Sequence, residues 1–140
     1  RFDEAVSSAV AANVKEVVAI LPRLLEQRRR GVAKIRFVGD SAAQKGDLEG
    51  AAHAYRATTE TCAKLLSHPP EDLELRFAEL AVIDELGITL MKGDAKQREE
   101  GLALVRNALR MLDELDARDP SAREARRAVR AEIEAHLKAR

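Results

Sequence analysis

Apolar residues recur every three or four positions through nearly the whole chain, and no stretch alternates apolar with polar as a half-buried strand does. Over residues 2–21 they fall at Phe2, Val6, Val10, Val14, Val17, Val18 and Leu21, with Lys15 and Glu16 on the other side, which predicts a first helix. Pro22 lacks an amide proton and its ring clashes with the preceding turn, so a kink or break is expected there, with Pro22 opening a second helix. The second stripe is Leu25, Val32, Ile35, Val38, Gly39 and Ala42, ending at Gly46 as a left-handed cap. Asp47 caps a third helix with Leu48, Ala51, Tyr55, Thr58, Cys62 and Leu65 on its inner face, stopped by His68-Pro69-Pro70. A fourth runs from about Pro70 to Lys92 on Leu73, Phe77, Leu80, Ile83, Gly87 and Leu90. Asp94 caps a fifth built on Leu102, Val105, Ala108, Leu109, Leu112 and Leu115. Asp119-Pro120 opens a sixth, on Ala125, Val129, Ile133 and Leu137, whose remaining positions are mostly Arg and Glu, as expected of the solvated end of the array or of a surface awaiting the next repeat.

The helices repeat as pairs. Pro22, Pro70 and Pro120 lie 48 and 50 residues apart, Gly39 and Gly87 lie 48 apart, and the dipeptides Gly46-Asp47 and Gly93-Asp94 lie 47 apart. Leu25 matches Leu73, Arg28 matches Arg76, Ala33 matches Ala81 and Ile35 matches Ile83. A fixed period of this size marks units that bury their apolar faces by stacking. The reading divides the chain into a leading helix (1–21), a first long repeat (22–69), a second (70–119) and a terminal helix (120–140). Gly39 and Gly87 admit a facing helix, Ala51 does so from the other side, and Tyr55 fills the remaining gap, so these four are read as packing residues.

In its apolar-Gly pair Val38-Gly39, its Gly46 turn, and Ala51 four residues before Tyr55, the chain resembles the tetratricopeptide repeat (TPR) family, with a weaker second copy at Leu86-Gly87, Gly93 and Gly101-Leu102. The period exceeds the 34 residues of that family, as in the long-helix variants attached to bacterial signalling proteins. Ile35 stands where the family prefers Trp, and the second copy has no aromatic in its second helix. The resemblance implies an all-α fold of antiparallel helical hairpins stacked as a short right-handed solenoid of about six helices. It also implies a concave groove lined by the first helix of each pair. By position that groove would hold Arg36, Asp40 and Gln44 from one copy and Asp84, Ile88 and Met91 from the next, a mixture suited to a peptide with polar and apolar anchors.

Charge favours no particular class of partner. Lys and Arg equal Asp and Glu at 24 each, which removes a global electrostatic case for nucleic acid or an anionic membrane. Locally, nine basic residues stand against five acidic over 1–45, four against nine over 46–92, and eleven against ten over 93–140, so neighbouring segments are complementary. Arg28-Arg29-Arg30 with Lys34 and Arg36 forms the densest basic cluster, but no aromatics are interleaved for base stacking, and an ion-paired helix face is the reading adopted. Arg28, Arg76 and Arg126 each follow a repeat proline by six residues and are read as stems over the core paired to carboxylates such as Glu74 or Glu79.

Candidate chemistry is sparse. His53, His68 and His136 belong to different parts of the repeat scheme, and the pair Glu49, His53 has no third ligand at metal spacing, so no metal or other cofactor is expected. Cys62 sits on an inner stripe as a small hydrophobe, and a single cysteine forms no internal disulfide. No uninterrupted run of about 18 apolar residues is present to span a membrane. The chain starts with Arg, shows no signal-peptide pattern, and reads as a piece of a longer cytoplasmic parent. The expected function is a non-catalytic scaffold that binds a protein, a peptide or another domain of its parent. The alternatives are a ligand-sensing regulatory module of a bacterial signalling enzyme, or a self-associating segment.

Overall fold

The computed structural model describes residues 2–139, apart from the side chains of Phe2, Val17 and Val18. Among the described residues the chain is all-helical: α1 (Phe2–Gln44), α2 (Leu48–Leu66), α3 (Leu73–Leu90), α4 (Ala95–Arg118) and α5 (Arg127–Lys138), with two 3₁₀ turns, Pro120–Ala122 and Glu124–Arg126, before α5. The chain divides into two units, one ending at Gly31 and one from Val32 onward.

Five α-helices stand where six are expected, because Pro22 lies inside α1 rather than at a break. Proline deletes only the bond its own N–H would make and strains one turn, at a cost of about 3 kcal/mol. Ala19, Leu21, Leu24, Leu25, Glu26 and Gln27 are good helix formers on both sides, and the helix continues through it. The boundary expected at residues 21 and 22 is therefore absent from the secondary structure. In the first unit Val6, Val10, Val14, Ile20 and Leu24 are all exposed. α1 also contains an 18-residue window of mean hydropathy 1.3, long and apolar enough to cross a membrane by length and composition. This corrects the expectation of no such segment. Alanine and valine raise the average without forming an unbroken run, and between Glu4 and Arg23 the only charged residues are Lys15 and Glu16.

In the second unit, turn chemistry sets the helix ends. Gly46 has φ +77°, the left-handed conformation that terminates α1. Asp47 then accepts from the Gly50 amide at 2.9 Å and opens α2. α3 begins at Leu73 instead of Pro70: Asp72 caps it by accepting from the Leu75 amide at 3.1 Å. Asp94 and Gln97 form a reciprocal capping box at the start of α4. Asp119 does not cap the last helix, and α5 starts only at Arg127. Ser121 Oγ donates to Asp119 Oδ1 at 2.9 Å and Arg126 Nη1 to Oδ2 at 3.2 Å, so this carboxylate is already engaged.

α3 is the centre of the second unit, packing on α2, α4 and α5, and buried residues occur on every side of it: Leu75, Leu80, Val82, Leu86, Gly87 and Leu90. One cluster joins Ala51, Ala52 and Tyr55 of α2 to Val82, Leu86 and Leu90, with Ala42 and Ala43 of α1 against it. A second joins Leu80 to Val105, Ala108, Leu112 and Leu115 of α4 and Ile133 of α5. Burying each of these Leu and Ile side chains contributes roughly 1.5–3 kcal/mol. The terminal helix is thus anchored in the core through Ile133, although Ala125 is exposed. Val38, expected on the inner stripe, is 59% exposed, because the inner face of α1 turns on Val32, Gly39, Ala42 and Ala43. α3 and α4 approach backbone to backbone: a methyl group at Gly87 would stand 2.7 Å from Val105 Cγ2 and 2.8 Å from the Gly101 carbonyl oxygen.

Candidate interaction site

Three of the polar residues assigned to the groove, Arg36, Asp40 and Asp84, are occupied by partners within the second unit. Arg36 binds the Glu85 carboxylate through both Nε, at 3.3 Å, and Nη2, so it ties α1 to α3. Burial pushes the Glu85 carboxyl up, and Arg36 offsets part of that rise. Asp40 accepts a 2.6 Å hydrogen bond from the Tyr55 hydroxyl, which lies above its usual range through burial and this bond. Asp84 is only 5% exposed and lies 3.0 Å from His136 Nδ1 on α5. Burial raises the Asp84 carboxyl and the His136 contact pulls it back. Ile88 and Met91 pack against the α3–α4–α5 cluster, and Gln44 is exposed at the end of α1. The structure therefore brings Arg36 and Asp40 into one α1–α2–α3 network, buries Asp84 beside His136, and leaves Ile88 and Met91 half-buried against the α3–α4–α5 cluster.

Two of the repeat arginines, Arg76 and Arg126, are hydrogen-bonded to carboxylates, and the Arg76 charge also acts on Glu79. Arg76 Nε donates to Glu71 at 2.8 Å, and Glu71 also accepts from Arg118 of α4. The Glu71 carboxyl is held low by the hydrogen bonds from Arg118 and Arg76. Arg126 is 6% exposed; its Nε donates to Asp116 Oδ1 at 2.8 Å and its Nη2 to the Asp119 carbonyl at 2.6 Å. Arg130 completes the set on Asp116 at 2.8 Å and Asp113 at 2.7 Å. Burial alone would raise the Asp116 carboxyl, but the hydrogen bonds from Arg130 and Arg126 outweigh it and hold it below the usual range.

One candidate surface is a place that periodicity did not single out. A cleft of about 420 Å³ opens between the first turns of α2 and α4, over the end of α3. Leu48, Ala52, Thr89 and Leu90 supply apolar contact, and Glu49, Arg56 and Gln97 supply polar groups. Ala52, Thr89 and Leu90 are buried, while Glu49, Arg56 and Gln97 are exposed. Arg56 meets Glu100 across the cleft at 3.4 Å, with both side chains about half exposed, so the pair costs little to open. The sequence signal for this site was the coincidence of two capped helix starts, Asp47 and Asp94, with Ala52 a small residue one turn beyond the first.

Among the described residues no group of three His, Cys, Asp or Glu side chains stands together as a metal site. Cys62 is buried, and its thiol is pushed up to about 11 by burial and then by the Glu79 charge. Comparison of the chain with family models, with curated proteins and with solved structures finds no match.

Proposed function

We propose that residues 32–140 form a non-catalytic, TPR-like interaction scaffold, a short helical solenoid that binds a peptide segment of a partner protein or of its own parent chain. The observation that carries this reading is the α2–α4 cleft, which sets an apolar floor of Ala52 and Leu90 beside exposed groups of both signs, Glu49 and Arg56. The partner segment places a small apolar side chain over Ala52 and Leu90 and opposite charges against Glu49 and Arg56, in the manner of a peptide laid along a helix-lined groove. The groove of Arg36, Asp40, Gln44, Asp84, Ile88 and Met91 is the weaker alternative, because Arg36, Asp40 and Asp84 already satisfy buried partners.

Selection of binders from a random peptide library, followed by affinity measurement on variants, tests the assignment. Glu49→Arg with Arg56→Glu is expected to lower affinity at least about tenfold, while Gln44→Ala leaves it unchanged. Selected peptides that bind the cleft variant as well as the parent overturn it. A second reading, a ligand-sensing module, would seat a small molecule on the same lining of Leu48, Ala52, Leu90, Glu49 and Arg56. A rise in melting temperature with a small-molecule panel, lost in the same cleft variant, would favour that reading over the peptide.

A further inference from the structure

We propose that the N-terminal segment of α1, residues 3–28, pairs antiparallel with the same segment of a second copy of this chain. The segment carries exposed Val6, Val10, Val14, Ile20 and Leu24, and its positions follow a seven-residue repeat. Asp3, Val10 and Leu24 occupy one core position, and Ser7, Val14, Leu21 and Arg28 occupy the other. Lys15, Glu16, Pro22 and Arg23 fall on the outward positions of this repeat, so neither a charge inside the apolar stretch nor the proline enters the seam. Val6 and Ile20 flank the seam and widen it.

Charge complementarity fixes the direction. When residue i of one copy faces residue 31 − i of the other, Val10 meets Leu21, Ser7 meets Leu24, and Asp3 meets Arg28 at both ends of the seam. A parallel pair would instead set Asp3 against Asp3 and Arg28 against Arg28, which like-charge repulsion disfavours. The antiparallel pair is two-fold symmetric and uses the same patch on both copies. A membrane is the poorer occupant: Lys15 and Glu16 lie midway along the apolar stretch and are among the costliest residues to place in hydrocarbon.

The test is sedimentation equilibrium of the full chain over a concentration series, with circular dichroism to confirm that each variant is folded. A dimer is expected for the parent chain and a monomer for Leu24→Asp. Asp3→Arg and Arg28→Asp, each alone, place like charges at both ends and should weaken the dimer by about tenfold or more. Combined in one chain they restore the complement, and dimerisation should return to near the parent level. A folded parent chain that stays monomeric up to its solubility limit overturns the proposal. So does a dimer indifferent to the single charge changes, the result a parallel pair gives. Co-flotation of a monomeric chain with phosphatidylcholine or phosphatidylserine vesicles assigns the apolar face to lipid and also overturns it.

Discussion

A methyl group on Gly39 of α1 would stand 2.6 Å from Cε1 of the Tyr55 ring on α2. The ring is 4% exposed, and its hydroxyl is fixed 2.6 Å from Asp40, one residue beyond that glycine. Tyr55 therefore cannot swing aside without breaking a part-buried hydrogen bond, and the α1–α2 spacing is set by the missing side chain.

Gly39→Ala is expected to destabilise the protein. Helix propensity favours alanine by about 1 kcal/mol, but overpacking against a held ring costs about 1–3 kcal/mol, and the second effect wins. Gly31→Ala is the control, since no atom outside its own helix turn lies within 4 Å of the added methyl; it should raise helicity without loss of stability. Urea unfolding of both variants decides the matter, and a Gly39→Ala protein as stable as the parent would show that α1 can shift.

Arg126→Met should cost about 3–5 kcal/mol. The change leaves the carboxylates of Asp116, 8% exposed, and Asp119 without their buried guanidinium and strips the hydrogen bond from the Asp119 carbonyl. α5 should loosen first, which hydrogen exchange of the Ile133 amide against that of Val82 would read directly.

Two carboxylates should respond to pH with opposite signs. Asp116 is depressed in the folded state, so it stabilises above the unfolded value of about 3.9, and that contribution is lost as pH falls through the lower folded value. Asp116→Asn is thus destabilising at neutral pH, with a deficit that closes in acid. Glu79 is raised by burial, which Arg76 only partly offsets. Its burial penalty is present above the folded value and disappears as pH falls toward the unfolded value of about 4.3. Glu79→Gln should therefore stabilise at neutral pH and lose its advantage below about pH 4. Unfolding free energies of both variants at pH 7 and in acid supply the check.

Cys62, with its thiol near 11 and no exposed surface, should react with an aromatic disulfide reagent at pH 8 only as fast as the second unit opens. Its labelling rate should rise with urea in step with unfolding. Rapid labelling of the native protein would contradict the burial described above.

Local chemistry was legible in the chain itself. Gly46, Asp47 and Asp94 end or start helices through contacts within a few residues, so their identity and spacing suffice, and the all-α character follows from the 3–4 residue period. Gly39, Ala51 and Tyr55 stood out because a glycine and an alanine on inner helix faces have no other use. The tertiary structure decided what depends on neighbours distant in sequence. Whether Pro22 breaks a helix rests on a few kcal/mol against the turns on either side, and periodicity does not weigh those terms. The resemblance to TPR arrays turns Arg36, Asp40 and Asp84 toward a ligand, yet each finds Glu85, Tyr55 or His136 on another helix, 49, 15 and 52 residues away. A polar residue's position on its own helix does not say whether a partner waits on the next one. That is fixed by how the helices pack, and the same packing opened the α2–α4 cleft.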